Sequence, residues 1–404
     1  MLLILAWKNV WRNKKRSLII IAALTFGLWG GLLAGAVMMG WGESMTESAI
    51  DRDLGHIQVH NPGYLRDRET TNYIPDGPEV ANQIRAIPGV TAVSGRTVVQ
   101  GMASSPASSF GALIEGVDPA NARQVTDIHR LIIDGEYLSE QGKNPVVIGQ
   151  KLAKRLNLKR DSKIVLSFQA MDSSLVYAAF KVVGIYKSES AQFDESHVFV
   201  DQADLIRLLN APLIYQEIAI RVESARLIPE IRAAIESKYP LLMVDSWREL
   251  APELAYTADI MKTYTYWFVA IILLALLFGI TNTMLMAVME RTRELGVLLA
   301  IGMKKARVFV MIMLETIMLS LTGGAVGIAI GAATIAYFYH NGINFSAFAE
   351  SLESFGAGTM LYPFLPIDMY IAMVLMIIIA AIIAAAMPAW KAIHLVPSKA
   401  IRTY

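Results

Sequence analysis

The stretch from Met289 to Val308, MERTRELGVLLAIGMKKARV, carries the residues whose types and spacing are best suited to chemistry. Charged side chains open it, and an apolar face follows at helical spacing; these are Glu290, Arg291, Arg293 and Glu294, then Leu295, Leu298, Leu299, Ile301 and Met303. Acids near a helix N-terminus interact favourably with the helix dipole, and Gly302 is well placed to end the helix. An ordinary basic loop needs neither acids nor a leucine face, so the pattern favours a short docking helix.

The sequence carries no convincing catalytic or nucleotide-binding motif. The tripeptide GKN at 142–144 lacks the earlier glycine and the Ser/Thr of a phosphate-binding loop, and LTGGA at 321–325 lies inside an apolar run. Neither H-E-x-x-H nor G-x-S-x-G occurs, and the chain has no cysteine. We therefore predict that the chain is not itself an enzyme and that it has no catalytic residues and no cofactor of its own.

Two isolated features remain as candidates for chemistry. His56 and His60 are four residues apart on a predicted strand, so they face the same side, which permits a metal pair. Surface histidines without further ligands are far commoner, and we predict no metal site. Glu315 lies inside an apolar run, where an acid either has a functional role, such as a proton path, or pairs with Arg307 or Lys305 near the helix end.

Four long apolar runs predict four membrane-spanning helices. The 404-residue chain is 54% hydrophobic and has a mean hydropathy of +0.44, which is too high for an ordinary soluble protein. Each run reaches the roughly 20 residues needed to cross a bilayer. The predicted spans are 17–42, 264–289, 308–339 and 369–390. Span one is too long for the apolar region of a signal peptide, so we expect it to remain in the membrane.

The short segments between the spans predict the orientation. Lys and Arg are frequent in 1–16, 290–307 and 391–404, whereas the loop 340–368 has neither. The positive-inside rule then makes both termini and the 290–307 segment cytoplasmic. Residues 1–16 are typical of an amphipathic helix on the cytoplasmic surface. The expected location is the inner (cytoplasmic) membrane, with 43–262 and the short loop 340–368 on the outer side and 391–404 as a cytoplasmic tail.

Residues 43–262 predict a large extracytoplasmic α+β domain inserted between spans one and two. GHIQVHNPGY (55–64) predicts a strand that ends in a turn. Residues 78–100 predict a helix, a Pro-Gly break and a strand, and 216–247 predict strand, helix, break and strand; we expect these segments to pair in one subdomain. Residues 144–187 predict a strand, a helix and a β-hairpin in a second, mostly β subdomain. From Trp247 onward the pattern predicts a helix continuous with span two.

Glycines recur every fourth residue in two of the spans. The rows are Gly27, Gly31 and Gly35 in span one, and Gly323, Gly327 and Gly331 in span three. Each row forms a smooth helix face that lets another backbone approach closely, so we predict tight helix packing. The pattern leaves open whether the partner helix belongs to the same chain or to a second copy.

At this point the sequence resembles a known family. Residues Glu290–Val308 resemble the motif E-R-x-x-E-I-G-x-L-x-A-I-G-x-x-x-x-x-I of the permeases grouped around MacB, LolC/LolE and FtsX, with Leu295 in place of the usual Ile. The stretch Pro388–Arg402 is similar to the family ending P-A-x-x-A-x-x-x-x-P-x-x-A-L-R. Residues 146–164 are similar to an outer-domain stretch of the family, but Asp161 and Ser162 occupy the region where a glycine is common. The resemblance covers essentially the whole chain.

The resemblance implies the permease subunit of an ABC transporter that works by mechanotransmission. It implies a dimer with a second copy or a relative, together with two copies of a separate ATPase that binds ATP and Mg. In that family the helix between spans two and three contacts the ATPase. The corresponding coupling residues here are Glu290, Arg291, Arg293, Glu294 and Gly296, with Gly302 at the end of the helix.

The cargo is predicted from a weaker resemblance. GHIQVHNPGY after span one is similar to the stand-alone permeases of the LolC/LolE branch, which favours extraction of lipoproteins from the outer leaflet and a periplasmic lipoprotein carrier as partner. One alternative is MacB-like export of peptides, toxins or drugs with a periplasmic adaptor. Another is an FtsX-like signalling scaffold that controls a cell-wall hydrolase. We expect contacts with membrane lipids and none with nucleic acid.

Overall fold

The computed structural model describes residues 2–138, 144–354 and 358–394. Its contacts divide the chain into two units, one helical and one built on a β-sheet. The helical unit comprises Met1–Gly42, Ala258–Asn344 and Met360–Tyr404, and the sheet unit comprises Glu43–Thr257 and Phe345–Thr359. Most of the predicted tail 391–404, the Pro388–Arg402 motif beyond His394, and Gly142 lie outside the described residues.

The helices and strands are numbered in chain order. The α-helices are α1 (Leu2–Arg12), α2 (Lys14–Ala49), α3 (Tyr64–Asp67), α4 (Gly77–Arg85), α5 (Pro119–Val125), α6 (Gln150–Arg155), α7 (Ala191–Ser196), α8 (Gln202–Leu209), α9 (Ile228–Lys238), α10 (Trp247–Leu250), α11 (Pro252–Glu290), α12 (Thr292–Ala300), α13 (Lys305–Asn341), α14 (Ala349–Ser354) and α15 (Ile367–Ile393). The strands are β1 (Ile57–His60), β2 (Val90–Ser104), β3 (Ser109–Val117), β4 (Ile132–Gly135), β5 (Pro145–Gly149), β6 (Lys163–Gln169), β7 (Leu175–Tyr186), β8 (His197–Asp201), β9 (Glu217–Val222), β10 (Met243–Ser246), β11 (Ile343–Asn344) and β12 (Met360–Leu361).

Among the described residues, four segments are helical, long and apolar enough to cross a membrane. They are Ser17–Leu54, Pro252–Glu290, Lys305–Asn341 and Ile367–Ile393. Each is longer than the apolar run that predicted it, because a helix continues through polar residues until a backbone signal ends it. The first continues beyond α2 as a π-helical turn, Ile50–Leu54, and stops at Gly55, whose φ is +62°.

The helical unit has an apolar core to which all four long helices contribute. Its buried side chains include Leu28 and Leu32 of α2, Val269 and Leu273 of α11, Ile335 of α13, and Met369, Met373 and Ile377 of α15. Helix α13 packs against both α15 and the N-terminal helix α1. Burial of these side chains on several helices holds the unit together.

The sheet unit is built on one mixed sheet with the strand order β10-β1-β9-β2-β3-β8-β5-β7-β4, while β6 pairs with β2 and β7. Two apolar clusters lie on it, one with α4 and α9 near β1, β9 and β10, the other with α6 and α8 near β5 to β8. The long strand β2 contributes to both clusters. It pairs with β9 over Val90–Arg96 and with β3 over Arg96–Ser104. The two predicted subdomains therefore share a continuous sheet.

The predicted order of strands and helices is observed in 55–64, 78–100, 144–187 and 216–247. One prediction is wrong, because the helix that leads into span two does not run from Trp247. Ala251 interrupts it with φ −127° and ψ 70°, and α11 starts at Pro252. A residue before proline is disfavoured in the helical region, which explains the break. Asp161 has φ +66°, a left-handed backbone conformation for which glycine is best suited.

Candidate functional site

The short helix α12 is ended by the glycine that the sequence singled out. Gly302 has φ +97°, its N–H donates to the Leu299 carbonyl at 3.1 Å, and the Met303 N–H donates to the Leu298 carbonyl at 3.0 Å. This pair of hydrogen bonds is the Schellman motif. An added Cβ at Gly302 would meet no atom within 4 Å, so the backbone angle, and not space, requires glycine here.

The start of α12 differs from the prediction. Glu290 does not lie in its first turn, because α11 continues through Glu290 and α12 begins only at Thr292. Glu294 is thus the acid in the first turn, where it can interact with the helix dipole. Arg291 occupies the N-cap position and makes no side-chain cap. The membrane helix and the short helix are separated by this single residue.

One face of α12 is anchored in the helical unit and the opposite face is exposed. Leu295 and Gly296 are buried, and the cluster around Leu295 includes Val308 and Met311 of α13 and Ala389 and Ala392 of α15. The exposed side chains are Arg293, Glu294, Val297 and Ala300 of α12, and Ile301, which directly follows it. Val297 is 41% exposed and Ile301 78% exposed. This outward face of α12 is an apolar pair with a basic residue beside it.

Four charged side chains connect α12 to α1 and α13. Arg12 Nη2 lies 2.6 Å from Glu294 Oε2, which is 3.2 Å from Arg291 Nε. Arg291 Nη1 donates to both carboxylate oxygens of Glu315 at 3.1 Å. Arg12, Glu294, Arg291 and Glu315 are called the ion-pair series below. The hydrogen bond from Arg12 holds the pKa of Glu294 below its usual value.

The ion-pair series corrects one prediction and adds a residue. One of the two interpretations of Glu315 was a pair with Arg307 or Lys305, but the structure places it against Arg291. Arg12 was not among the predicted site residues, although its position on the basic face of the N-terminal helix was the available signal. A cleft of about 520 Å³ lies beside the series; it is lined by Asn9, Arg12, Arg291, Arg293, Glu294, Val297, Leu298 and Met311.

Both glycine rows face helices of the same chain. Added Cβ atoms on Gly27, Gly31 and Gly35 of α2 would meet side chains of α11, namely Leu276, Ile272 and Thr265. Added Cβ atoms on Gly323, Gly327 and Gly331 of α13 would meet Leu24, Leu28 and Leu32 of α2. At Gly327 the Thr25 carbonyl oxygen is also within 3.1 Å, so two backbones approach closely. Helix α2 therefore packs against α11 through its own glycines, and against α13 through the glycines of α13.

The two histidines are bound into the sheet unit. His60 is fully buried, its Nε2 lies 3.0 Å from Gln58 Oε1, and its ring stacks on Tyr64. Burial lowers the pKa of His60 to about 3. His56 Nδ1 accepts the Val222 N–H at 3.3 Å. Within 2–138, 144–354 and 358–394, no group of three potential ligands is arranged to hold a metal ion.

A buried charged cluster in the sheet unit was missed by the sequence. Arg96 Nη1 lies 2.8 Å from Asp53 Oδ1, 3.7 Å from Glu115 Oε2 and 3.6 Å from Glu217 Oε2. Arg96, Glu115 and Glu217 are each less than 9% exposed. Their signal was that Arg96 and Glu115 are each the only charged residue of their strand, and that Glu217 begins a mainly apolar strand. One guanidinium here faces three carboxyl groups.

Burial favours the protonated form of two carboxyl groups in this cluster. Burial, followed by repulsion from Asp53, raises the pKa of Glu115 well above its ordinary value. Burial also raises the pKa of Glu217, although the attraction of Arg96 opposes it. His197 Nε2 lies 3.8 Å from Glu115 Oε1, and burial lowers the pKa of His197 to about 4. The cluster is a structural element that ties Asp53 to β2.

Comparison with protein families gives two matches. Residues 17–238 match the model of the MacB-like periplasmic core domain. Residues 266–397 match the model of the FtsX-like permease C-terminal region. The first covers more than half of the chain, and the second contains α12, α13 and α15.

Individual relatives are distant but cover most of the chain. The uncharacterised ABC transporter permease YknZ of Bacillus subtilis is 24% identical over 81% of this chain and 84% of its own length. The macrolide export ATP-binding/permease protein MacB of Campylobacter jejuni is 21% identical over 83% of this chain, which spans 53% of that relative. The crystal structure of the periplasmic region of MacB from Actinobacillus actinomycetemcomitans aligns with 52% of this chain and 97% of that one, at 14% identity and a TM-score of 0.37.

Proposed function

The chain belongs to the ABC transporter permeases of the MacB and FtsX type, and we propose that it couples ATP hydrolysis by a separate ATPase to movement of its extracytoplasmic domain. The observation that carries this proposal is the outward face of α12. Val297 and Ile301 are exposed on a short helix whose opposite face is anchored in the membrane helices. An apolar pair flanked by Arg293 fits a groove with an acidic rim on a partner protein.

The ATPase is proposed as that partner because the 404 residues contain no phosphate-binding loop. The relative from Campylobacter jejuni is named as an ATP-binding/permease protein and is about twice the length of the matched region. We propose two ATPase copies that bind ATP and Mg, and a second permease copy or relative. Each α12 would then contact one ATPase subunit.

The orientation is proposed from the positive-inside rule, which makes α12 and both termini cytoplasmic in the inner membrane. Since the chain has no cysteine, single cysteines can be labelled without background. A membrane-impermeant maleimide applied to intact cells or spheroplasts should label Leu241→Cys, which is 84% exposed in the sheet unit. It should not label Ile301→Cys until the membrane is opened. The reverse pattern would contradict the orientation.

The docking surface is tested by photo-crosslinking in cells of the source organism. A benzophenone amino acid replaces Ile301, and in a matched control it replaces Phe278, which is 66% exposed on α11. We expect position 301 to form an adduct with a protein that a photoreactive ATP analogue also labels, and position 278 to form none. Equal adducts at both positions, or an adduct at 301 that binds no ATP, would overturn the docking assignment.

For the cargo, we propose release of lipoproteins from the outer leaflet of the inner membrane to a periplasmic carrier. The support is the similarity of GHIQVHNPGY to the stand-alone LolC/LolE-type permeases. The named function of the Campylobacter jejuni relative favours a second candidate, export of macrolide-like compounds with a periplasmic adaptor. Both cargoes are amphipathic, so the same apolar membrane helices serve either.

Mass spectrometry of the purified complex separates these cargoes. Lipoprotein release predicts acylated proteins that co-purify with the complex and dissociate when ATP is added. Export predicts no acylated protein, and increased sensitivity to macrolides when the gene is deleted. Recovery of a cell-wall hydrolase without lipid cargo would instead support a signalling scaffold and exclude both proposals.

A further inference from the structure

The coupling residues of α12 divide into two groups by where their side chains lie. Arg293 is exposed beside Val297 and Ile301, whereas the Arg291 side chain is only 18% exposed. Glu294 is 51% exposed and lies between Arg12 and Arg291. Arg291 is directed toward Glu315, which is 7% exposed within α13. A side chain committed to a buried carboxylate is poorly placed to contact another protein. The two groups therefore have different roles.

We propose that the ion-pair series transmits movement of α12 to α13 and α1, and that Arg291 is a positioning residue rather than a contact for the ATPase. The inference rests on the proposed function for the source of the movement, but the linkage itself is a property of this chain. It extends from Arg12 of α1 through Glu294 and Arg291 to Glu315 of α13.

The geometry gives the ion-pair series a role that apolar packing cannot fill. Contacts of Leu295 with α13 are non-directional and permit sliding or rotation of the short helix. A single nitrogen of Arg291, Nη1, donates to both oxygens of the Glu315 carboxylate, and this charge-assisted contact holds the start of α12 at a defined distance from α13. The other end of α12 is held by the turn at Gly302. Movement at either end is thus passed to a membrane helix.

The choice of residue at the N-cap supports this assignment. Ser, Thr, Asp and Asn are preferred at N-caps because their side chains accept hydrogen bonds from the first helical N–H groups. Arg291 has no acceptor, and no side-chain cap is formed. A residue that contradicts the local preference indicates another requirement, and here the ion pair with Glu315 supplies it.

The linkage is tested in the purified full-length protein without an ATPase. A nitroxide on Ile301→Cys reports the mobility of α12 by electron paramagnetic resonance. We expect Arg291→Gln and Glu315→Gln each to increase mobility, and the double variant to be no more mobile than the more mobile single variant, because both changes break one link. Arg307→Gln is the matched control: it lies in the same region, is exposed, and should leave mobility unchanged.

Two outcomes would overturn the linkage. They are additive effects of the two substitutions, or an equal increase in the Arg307→Gln control. If a single variant fails to fold, the charge reversal Arg291→Glu with Glu315→Arg decides the matter, since restored wild-type mobility supports the pair and persistent mobility contradicts it. These results do not depend on any ATPase.

The division of roles is tested in the assembled complex. Arg291→Gln should keep the crosslink from position 301 and reduce stimulated ATP hydrolysis about tenfold, a factor equal to about 1.4 kcal/mol. Arg293→Glu should instead abolish the crosslink. Loss of the crosslink in Arg291→Gln would assign Arg291 to the docking surface and refute the proposal. Absence of the crosslink in the unmodified chain would refute the proposed function and leave the mobility result standing.

Discussion

The close approach of α2 and α13 allows a graded test of the packing in the helical unit. An alanine Cβ at Gly327 would lie 3.0 Å from Leu28 Cβ and 3.1 Å from the Thr25 carbonyl oxygen. The optimum for non-bonded carbon atoms is about 3.5–4.0 Å. Because the Thr25 oxygen is backbone, it cannot move unless the whole helix α2 moves. Gly327→Ala should therefore destabilise the protein.

The magnitude follows from two opposing effects. Overpacking a well-packed site costs about 1–3 kcal/mol, whereas alanine is favoured over glycine in a helix by about 0.8–1.0 kcal/mol. Gly30→Ala in α2 isolates the second effect, because an added Cβ there meets no atom within 4 Å. Gly324→Ala is intermediate, with Ile377 Cγ2 at 3.4 Å. The expected order of stability is Gly30→Ala, then Gly324→Ala, then Gly327→Ala.

The assay is thermal unfolding of each purified variant in mild detergent, followed by tryptophan fluorescence. We expect Gly327→Ala to lie below Gly30→Ala by the overpacking cost, about 1–3 kcal/mol in the free energy of unfolding. The difference should not change with protein concentration, because the contact lies within one chain. Equal stability of the two variants would refute the close packing. A concentration-dependent difference would place the glycine row against a second copy.

Three further predictions use the same unfolding assay or hydrogen exchange. Gly302→Ala should lower the free energy of unfolding by about 1–2 kcal/mol, because alanine is disfavoured in the left-handed backbone conformation of Gly302, and should speed hydrogen exchange of the Met303 N–H. Gly279→Ala is the control and should do neither, since an added Cβ there also meets no atom within 4 Å. Arg96→Met should lower the free energy of unfolding by about 3–5 kcal/mol, because it leaves buried carboxylates unpaired. Arg207→Met is the control; its exposed pair with Asp204 should contribute less than about 1 kcal/mol. Since the folded-state pKa of Glu115 is raised, its protonation favours folding; stability should fall as pH rises from the ordinary glutamate pKa through the raised value, and Glu115→Gln should flatten that fall.

Elements set by local sequence were predicted well. The Schellman ending of α12 follows from one glycine after a leucine face, and the turns before β2 and after β1 follow from Pro-Gly and Asn-Pro-Gly. The start of α12 was not predicted, because the cluster of charges at 290–294 is compatible with one helix or with two. Only the backbone at Arg291 distinguishes them.

The partner of Glu315 shows why contacts between residues distant in the sequence were not predictable. Arg307 is eight residues earlier in the same helix, and a helix rises about 1.5 Å per residue, so the two are about 12 Å apart along the axis. That separation exceeds the reach of an ion pair and could have excluded the local partner. Arg291 is 24 residues away in sequence, yet the reversal of the chain through α12 brings it to 3.1 Å.

The same reasoning applies to the buried cluster in the sheet unit. Arg96 and Glu115 are the single charges of β2 and β3, and Glu217 is a buried charge at the start of β9. Each is costly to bury unless another element supplies a partner. A lone charge in an apolar segment therefore predicts a long-range ion pair. It does not identify the partner, because β2, β3 and β9 become neighbours only through the order of the whole sheet. For Glu315 and for Arg96, the sequence predicts that the buried charge needs a partner of opposite charge. Which residue is that partner depends on how the chain folds.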